Sequence, residues 1–286
     1  MSFLKNIFKP REFVVKAPVT PVRQAKLGIA FGGGGFKGGA HIGVLKVLDE
    51  YGIKPDMVAG TSIGAAVAAL LASGYTWQMM ETLLCQFDLD SIMKIRPRKS
   101  GLIPATGYTE LIHTCVKGKK IEEMDIPLKI VAVDLVSWKK VVFDKGETAV
   151  AVRASSAIPG VFTPVKMGDM LLVDGFLLDV CPGRLVREMG ADIVLAISLF
   201  SPNYSVPQNM IEIINRAISI AASANRQVEA DWLLEPIPHY FESLNANIIP
   251  ECMKLGEQAA RANIASLLTL CDAHGIPYAK PREADN

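Results

Sequence analysis

From residue 27 onward, short apolar runs alternate with stretches whose apolar positions recur at helical spacing. Leu27-Gly28-Ile29-Ala30-Phe31 has the length and continuity of a buried strand. A glycine-rich stretch follows, then an amphipathic helix with Ile42, Leu45, Val47 and Leu48 inward and Lys46, Asp49 and Glu50 outward, ended by Gly52. Met57-Val58-Ala59 reads as a second strand, and Ile63 to Ser73 as a nearly all-apolar helix. Leu128 to Val133 and Ile193 to Ser198 read as central strands, and Leu171-Leu172-Val173 as a short strand just ahead of Asp174-Gly175. Helical patterns cover 76–86, 107–116, 179–189, 208–224 and 252–272. Strands separated by helices predict an α/β domain, with helices on both faces of a largely parallel sheet.

Two segments break the alternation. Residues 88–106 are irregular, and 199–208 form a Pro/Ser/Asn loop; both are candidate rims of a site. No internal repeat, low-complexity tract or long linker divides the chain, and 286 residues suit one large domain. The expected organisation is an N-terminal arm over 1–26 and one domain over 27–286, with its motifs in 27–198 and a helical C-terminal part over 208–275.

Composition removes some partners. A net charge of +1 gives no global electrostatic case for nucleic acid. The five cysteines, at 85, 115, 181, 252 and 271, show no metal or redox spacing and read as reduced, mostly buried thiols of a cytoplasmic protein. Lys5 and Lys9 are followed by Pro10, Arg11 and Glu12 before any signal-peptide apolar region develops. Ile63 to Gly74, the most apolar internal stretch, is too short to span a bilayer. The expected location is cytoplasmic, or peripheral to the inner face of the membrane.

The main chemical signal is Gly60-Thr61-Ser62-Ile63-Gly64, between a predicted strand and a predicted helix. A serine on such a sharp turn has its hydroxyl raised above the sheet edge, and the helix that follows aims its amides at developing negative charge. The bland reading is a strand-to-helix turn with Ser62 as a helix cap. Gly32 to Gly39, interrupted only by Phe36 and Lys37, follows the first strand in the same way. Gly33, Gly35 and Gly38 satisfy a dinucleotide fingerprint, yet the second strand ends in the serine elbow and not in the acidic residue a ribose needs. A P-loop is excluded because Lys37 is followed by Gly38. The remaining functional reading is an oxyanion hole built from the amides of Gly33, Gly34 and Gly35, beside the elbow at the carboxyl edge of adjacent strands. A tight turn that merely packs helix on sheet is the structural alternative.

A serine nucleophile needs a base, ordinarily a histidine oriented by a carboxylate. His41 and His113 lie within helices, and His274 reads as a helix C-terminus. His239 follows Asp174 in the chain order of α/β-hydrolases and stays a candidate. Asp174-Gly175 directly follows an apolar strand; it is either a turn or a carboxylate held at the sheet edge, where burial raises its basicity.

These blocks together resemble the patatin-like phospholipases, specifically the small bacterial group related to the neuropathy-target-esterase catalytic domain. The likeness runs from about Leu27 to Ser198 and more weakly from Lys254 to Leu270. It is carried by Gly33-Gly34-Gly35-Phe36-Lys37-Gly38 with the run to Leu45 behind it, by Gly60 to Gly64, by Arg153 to Pro164 and by Asp174-Gly175. The resemblance implies a three-layer α/β/α patatin-like fold with a largely parallel central sheet. It also implies a Ser62–Asp174 dyad without catalytic histidine, metal, calcium or cofactor, and oxyanion donors at Gly33, Gly34 and Gly35. Lys37, Gly38, Gly60, Gly64 and Gly175 are the supporting motif positions, and the 153–164 block serves as active-site wall. Phospholipid or lysophospholipid is the implied substrate. The sequence departs from the family pattern at Phe176, where Gly or Ala is usual, so a bulkier side chain is expected to narrow the site or alter acyl selection.

Two features are candidates for contact with a lipid surface in this reading. Phe3, Leu4, Ile7 and Phe8 with Lys5 and Lys9 would form a short amphipathic helix, or a plain arm. Lys94, Arg96, Arg98 and Lys99 form a basic cluster, suited to a phosphate head group or simply solvated. Trp138, Lys139 and Lys140 belong to a hairpin between edge strands. The rival functions are a general carboxylesterase on small esters and a non-catalytic lipid- or partner-binding regulator. The oligomeric state is not legible.

Overall fold

The structure, a computed structural model, describes residues 24–86, 106–201, 206–224, 226–242 and 244–279. The proposed N-terminal amphipathic segment and the basic cluster at 94–99 lie outside the described residues. The elements in chain order are β1 (Leu27–Phe31), α1 (Gly39–Glu50), β2 (Met57–Thr61), α2 (Ile63–Ala72), α3 (Trp77–Gln86), α4 (Thr106–Cys115), β3 (Leu128–Asp134), β4 (Lys139–Phe143), α5 (Thr148–Ser155), β5 (Val165–Met167), β6 (Met170–Asp174), α6 (Gly183–Glu188), β7 (Ile193–Ile197), α7 (Met210–Ala224), β8 (Trp232–Leu234) and α8 (Ile249–His274).

The eight strands form one sheet in the order β5-β6-β3-β2-β1-β7-β8, with β4 also on β3. Strands β3, β2, β1, β7 and β8 are parallel; β4, β5 and β6 are joined antiparallel. Helices cover both faces, giving the three-layer α/β/α architecture. The layers are unequal for a reason visible in β1 and β7. Leu27, Ile29, Phe31, Ile193, Leu195 and Ile197 point to the thick layer, which α1, α2, α3, α4 and α8 help to build. The alternate positions Gly28, Ala30, Val194 and Ala196 are small, and α6 comes close against them: a Cβ on Gly28 would stand 2.3 Å from Val186 Cγ1. Among the described cysteines, Cys115, Cys181, Cys252 and Cys271 are free and buried. No helix among the described residues is long and apolar enough to cross a membrane.

Several elements depart from the pattern reading. The segment expected to be helical over 179–189 begins its helix only at Gly183, because Pro182 excludes helical geometry from the preceding residue and the Val180 carbonyl is tied to Gly33 N. Helix α5 was not predicted: nearly all of Thr148–Ser155 is buried, so its sequence carries no apolar/polar period. Strands β5 and β8, three residues each, are too short to leave a pattern. The hairpin expected at Trp138–Lys140 is present, but β3 is an inner strand and only β4 stands at the margin.

Candidate active site

The pairing registers of β3 explain where the site forms. β4 runs along one edge of β3 from Ile130 to Asp134, so β2 and β6, which pair with Leu128–Val131 and Ala132–Asp134, share the other edge. β2 climbs that edge until Thr61 faces Val131; β6 descends it until Asp174 faces Ala132. The two strands meet end to end, and the residues at their ends are Ser62 and Asp174. Ser62 turns away from the sheet with φ 56° and ψ −125°, a left-handed conformation that costs a non-glycine residue of order 1 kcal/mol and marks the elbow. Its Oγ donates to Asp174 Oδ2 at 2.6 Å, and both residues are buried.

A break between two strands leaves ladder groups without partners. Ser155, at the end of α5, fills this one: its hydroxyl accepts from Ser62 N at 2.8 Å and donates to Val131 O at 2.6 Å. Ser155 stood inside the 153–164 block assigned to the wall, but its bridging role had no sequence signal. Ser155→Ala leaves a buried N–H and a buried carbonyl unpaired, and is expected to cost about 1–3 kcal/mol. A lowered denaturation midpoint at unchanged slope would record that loss.

Asp174 has its second oxygen held as well, since Oδ1 accepts from Phe176 N at 2.9 Å. Burial raises its pKa to about 7, and the bonds from the Ser62 hydroxyl and the Phe176 amide only partly oppose that rise. A serine hydroxyl donating to such a carboxylate is an arrangement competent for nucleophilic attack on an acyl carbon. No histidine is hydrogen-bonded to Ser62 or Asp174. His239 is exposed, 3.8 Å from Glu251 and tilted against Phe241. His113 and His274 are also exposed, the latter bonded to Leu270 O in the last turn of α8.

The glycine loop lies against the serine: a Cβ on Gly33 would stand 2.8 Å from Phe176 Cδ2 and 3.2 Å from Ser62 Cβ. Of the three expected donors, Gly33 is corrected. Its N–H donates to Val180 O at 2.9 Å, which leaves Gly34 and Gly35 at the start of the 3-10 turn Gly35–Gly38, whose first amides have no partner within the turn. Two buried side chains hold the loop from behind. His41 Nε2 donates to Gly32 O at 2.8 Å, and burial lowers its pKa to about 4, so the ring is neutral. Lys37 Nζ donates to Leu199 O at 2.8 Å and ties the loop to the chain after β7; burial lowers its pKa to about 8. Lys37 was expected as motif support and His41 as a helix residue; that His41, in the first turn of α1, braces Gly32 carries no sequence signal.

Ser62 lines an apolar pocket of about 1120 Å³, counted with its open mouth. Ile63, Ala66, Val67 and Leu70 of α2 form one wall at helical spacing, and Met80, Leu84, Leu111 and Phe162 stand opposite. Phe176 is not among the lining residues; its ring leans on Gly33 and on the apolar cluster of the other face.

The family model described as patatin-like phospholipase matches residues 29–185. An NTE family protein of Mycobacterium tuberculosis is 34% identical over 176 residues, 61% of this chain and 49% of that one. Patatin-like phospholipase domain-containing protein 6 of Homo sapiens is 31% identical over 188 residues, 61% of this chain and 13% of that one. The crystal structure of VipD from Legionella pneumophila superposes with a TM-score of 0.54 at 13% identity, covering 88% of this chain and 67% of that chain, a likeness of fold. The chain thus spans about half the length of the mycobacterial relatives it matches.

Proposed function

Because the chain belongs to the patatin-like phospholipase family, we propose that it is a lipid acyl hydrolase of the phospholipase A or lysophospholipase type, working through Ser62 and Asp174. The reading rests above all on the 2.6 Å bond from Ser62 Oγ to Asp174 Oδ2 on the wall of an apolar pocket. Ser62 attacks the acyl carbonyl while its proton passes to Asp174 Oδ2. The carbonyl oxygen, now an oxyanion, accepts from the amides of Gly34 and Gly35, each such donor being worth on the order of 3 kcal/mol in the transition state. Collapse expels the alcohol, which takes the proton from Asp174, and leaves acyl-Ser62. Water then repeats the attack with Asp174 again as base, releasing the fatty acid.

The pocket favours a lipid over a small ester. Its α2 wall runs from Ile63 to Leu70, and from Ser62 onward eight helical residues advance ~12 Å. An extended chain advances roughly 1.2 Å per bond, so about ten carbons fit along that wall. A fluorophosphonate reagent with a long alkyl chain should label Ser62 faster than its short-chain counterpart, as read by mass spectrometry of the Ser62 peptide. Unlabelled Ser62 in folded protein would sink the catalytic reading. Equal rates with both reagents would favour the small-ester rival.

A further inference from the structure

Helix α7 is apolar on two faces. Ile211 packs with Ile158, Val161, Phe162, Tyr108 and Leu244, Ile214 lies over Gly160, and Ala222 joins the cluster of the opposite face. The helix also packs on the 3-10 turn Gly175–Leu177 that follows Asp174. It therefore lies across the edge of the sheet that carries Ser62 and Asp174. Tyr108, Ile158 and Phe162 line the acyl pocket at its Ser62 end, because the neighbouring Ala157 carbonyl accepts from Asp174 N. The outward face carries Met210, Ile213, Ala217, Ile220 and Ala224, at i, i+3, i+7, i+10 and i+14, all exposed. A helix that only closed a core would be polar on that side.

A second apolar feature rises from the same edge. The β3–β4 hairpin passes beyond the level of Ser62 and turns at Leu135-Val136-Ser137-Trp138, where Trp138 is 84% and Val136 66% exposed. The tip is built to hold them there. Asp134 accepts from Val136 N, Ser137 N, the Ser137 hydroxyl and Leu171 N, and these donors, the hydroxyl first, hold its pKa down at about 2. Trp138 itself sits at φ 61°, in the left-handed region. Lys139 and Lys140 follow the tryptophan, and Lys140 pairs with Asp179 at 2.9 Å, next to exposed Leu178. That pair joins the hairpin to the chain that leads from the 3-10 turn under α7.

We propose that this surface, the outward stripe of α7 together with the Val136–Trp138 tip, is where the protein docks on a phospholipid bilayer. The inference rests on the lipid acyl hydrolase reading, and it names a surface distinct from the N-terminal arm. A stripe continuous with the Ser62 end of the pocket lets an acyl ester leave the membrane without crossing water. A tryptophan followed by two lysines suits the interfacial layer, with the ring among the acyl boundary and the ammonium groups among phosphates. The nearby charges almost balance: Lys139, Lys140 and Lys166 against Asp169 and Asp179. Binding is thus driven by apolar burial, and it persists on uncharged lipid with little response to salt.

The test uses phosphatidylcholine vesicles, alone and mixed with phosphatidylglycerol, and reads binding by sedimentation and by tryptophan emission. Trp232 is buried and Trp77 is bonded to Asp49, so a blue shift on vesicles reports Trp138 and vanishes in Trp138→Phe. The pair Ile213→Asp and Trp138→Ala should weaken binding and slow hydrolysis of vesicle lipid by about tenfold or more. Turnover of a water-soluble ester should stay within about twofold, since neither residue lines the pocket. Unchanged vesicle binding would overturn the proposal, as would equal loss on both substrates. So would a switch from dimer to monomer with binding intact, since the stripe would then be a contact between two copies. Because binding is read apart from turnover, absence of all ester activity would count against the proposed function and leave the docking surface to be judged by sedimentation.

Discussion

Replacing Asp174 by asparagine should give a folded protein that is more stable than the parent near pH 8 and that has lost hydrolysis by about 10³-fold, the loss expected for a general base. The two effects have one origin. Burial raises the carboxyl pKa from 3.8 to about 7, against the opposing bonds from Ser62 and Phe176. Between these two values the folded chain holds a proton that the unfolded chain has released, so the unfolded state binds fewer protons and stability falls as pH rises. Above about 7 the full cost of a buried carboxylate is present, on the order of a few kcal/mol. Asparagine keeps the shape, stays neutral and removes that cost, so the difference between the two proteins should grow from about pH 4 to about pH 7 and then level off. The parent's hydrolysis must run the other way, rising through an apparent pKa of about 7 as the base loses its proton. Ser62→Ala should cost about 10⁴-fold or more, and the double variant should be no worse than Ser62→Ala alone, because the two side chains act as one unit. Denaturation midpoints at two pH values and a pH–rate profile check these outcomes. An Asp174→Asn protein that kept its turnover, or lost stability near pH 8, would contradict the assignment.

The sequence made this pair legible because each residue carries its own local signal. Ser62 stands between two glycines at a strand-to-helix junction, and Asp174 ends an apolar run ahead of glycine. What joins them carries none. That β2 and β6, more than 100 positions apart in the chain, abut along β3 is set by their two registers on that strand. Ser155, which bridges the abutment, sits in a helix buried on almost every side and so invisible to periodicity. The glycine loop shows the same limit. Its glycines announce a backbone that approaches something closely, but only the structure shows Gly33 N bonded to Val180 O, leaving two amides in place of three. Large apolar positions on β1 and β7 marked the strands, while the small ones between them, set by the approach of α6, decided which face would be thin.

Gly43→Val is expected to be among the most destabilising single changes in the chain, because α1 and α8 touch backbone to backbone. A Cβ on Gly43 would stand 1.9 Å from Met253 O and 2.7 Å from Glu257 N, and one on Gly256 would stand 2.1 Å from Ala40 O. No rotamer relieves a clash with backbone, so the helices must part, and a seam that includes Ala40, Cys252 and Ala260 opens with them. The loss should reach about 3 kcal/mol or more. The partly exposed ion pairs along the seam, Lys46–Glu257 and Arg261–Glu50, contribute little and cannot hold it closed. Gly107 in α4 supplies the contrast: no atom lies within 4 Å of its Cβ position, so Gly107→Ala should be neutral or stabilise by up to about 1 kcal/mol. The site feels the first change and not the second. Helix α1 begins where the 3-10 turn Gly35–Gly38 ends, and Gly39 together with Ile249, the first residue of α8, lines the apolar pocket beside Ser62. Parting the helices moves the Gly34 and Gly35 amides away from Ser62, so turnover should fall with stability even under conditions where Gly43→Val remains folded. Thermal unfolding and single-turnover rates on a soluble ester measure both. If Gly43→Val matched Gly107→Ala in both, the C-terminal helix would be a cover on the domain and not part of the frame that aims its catalytic loop.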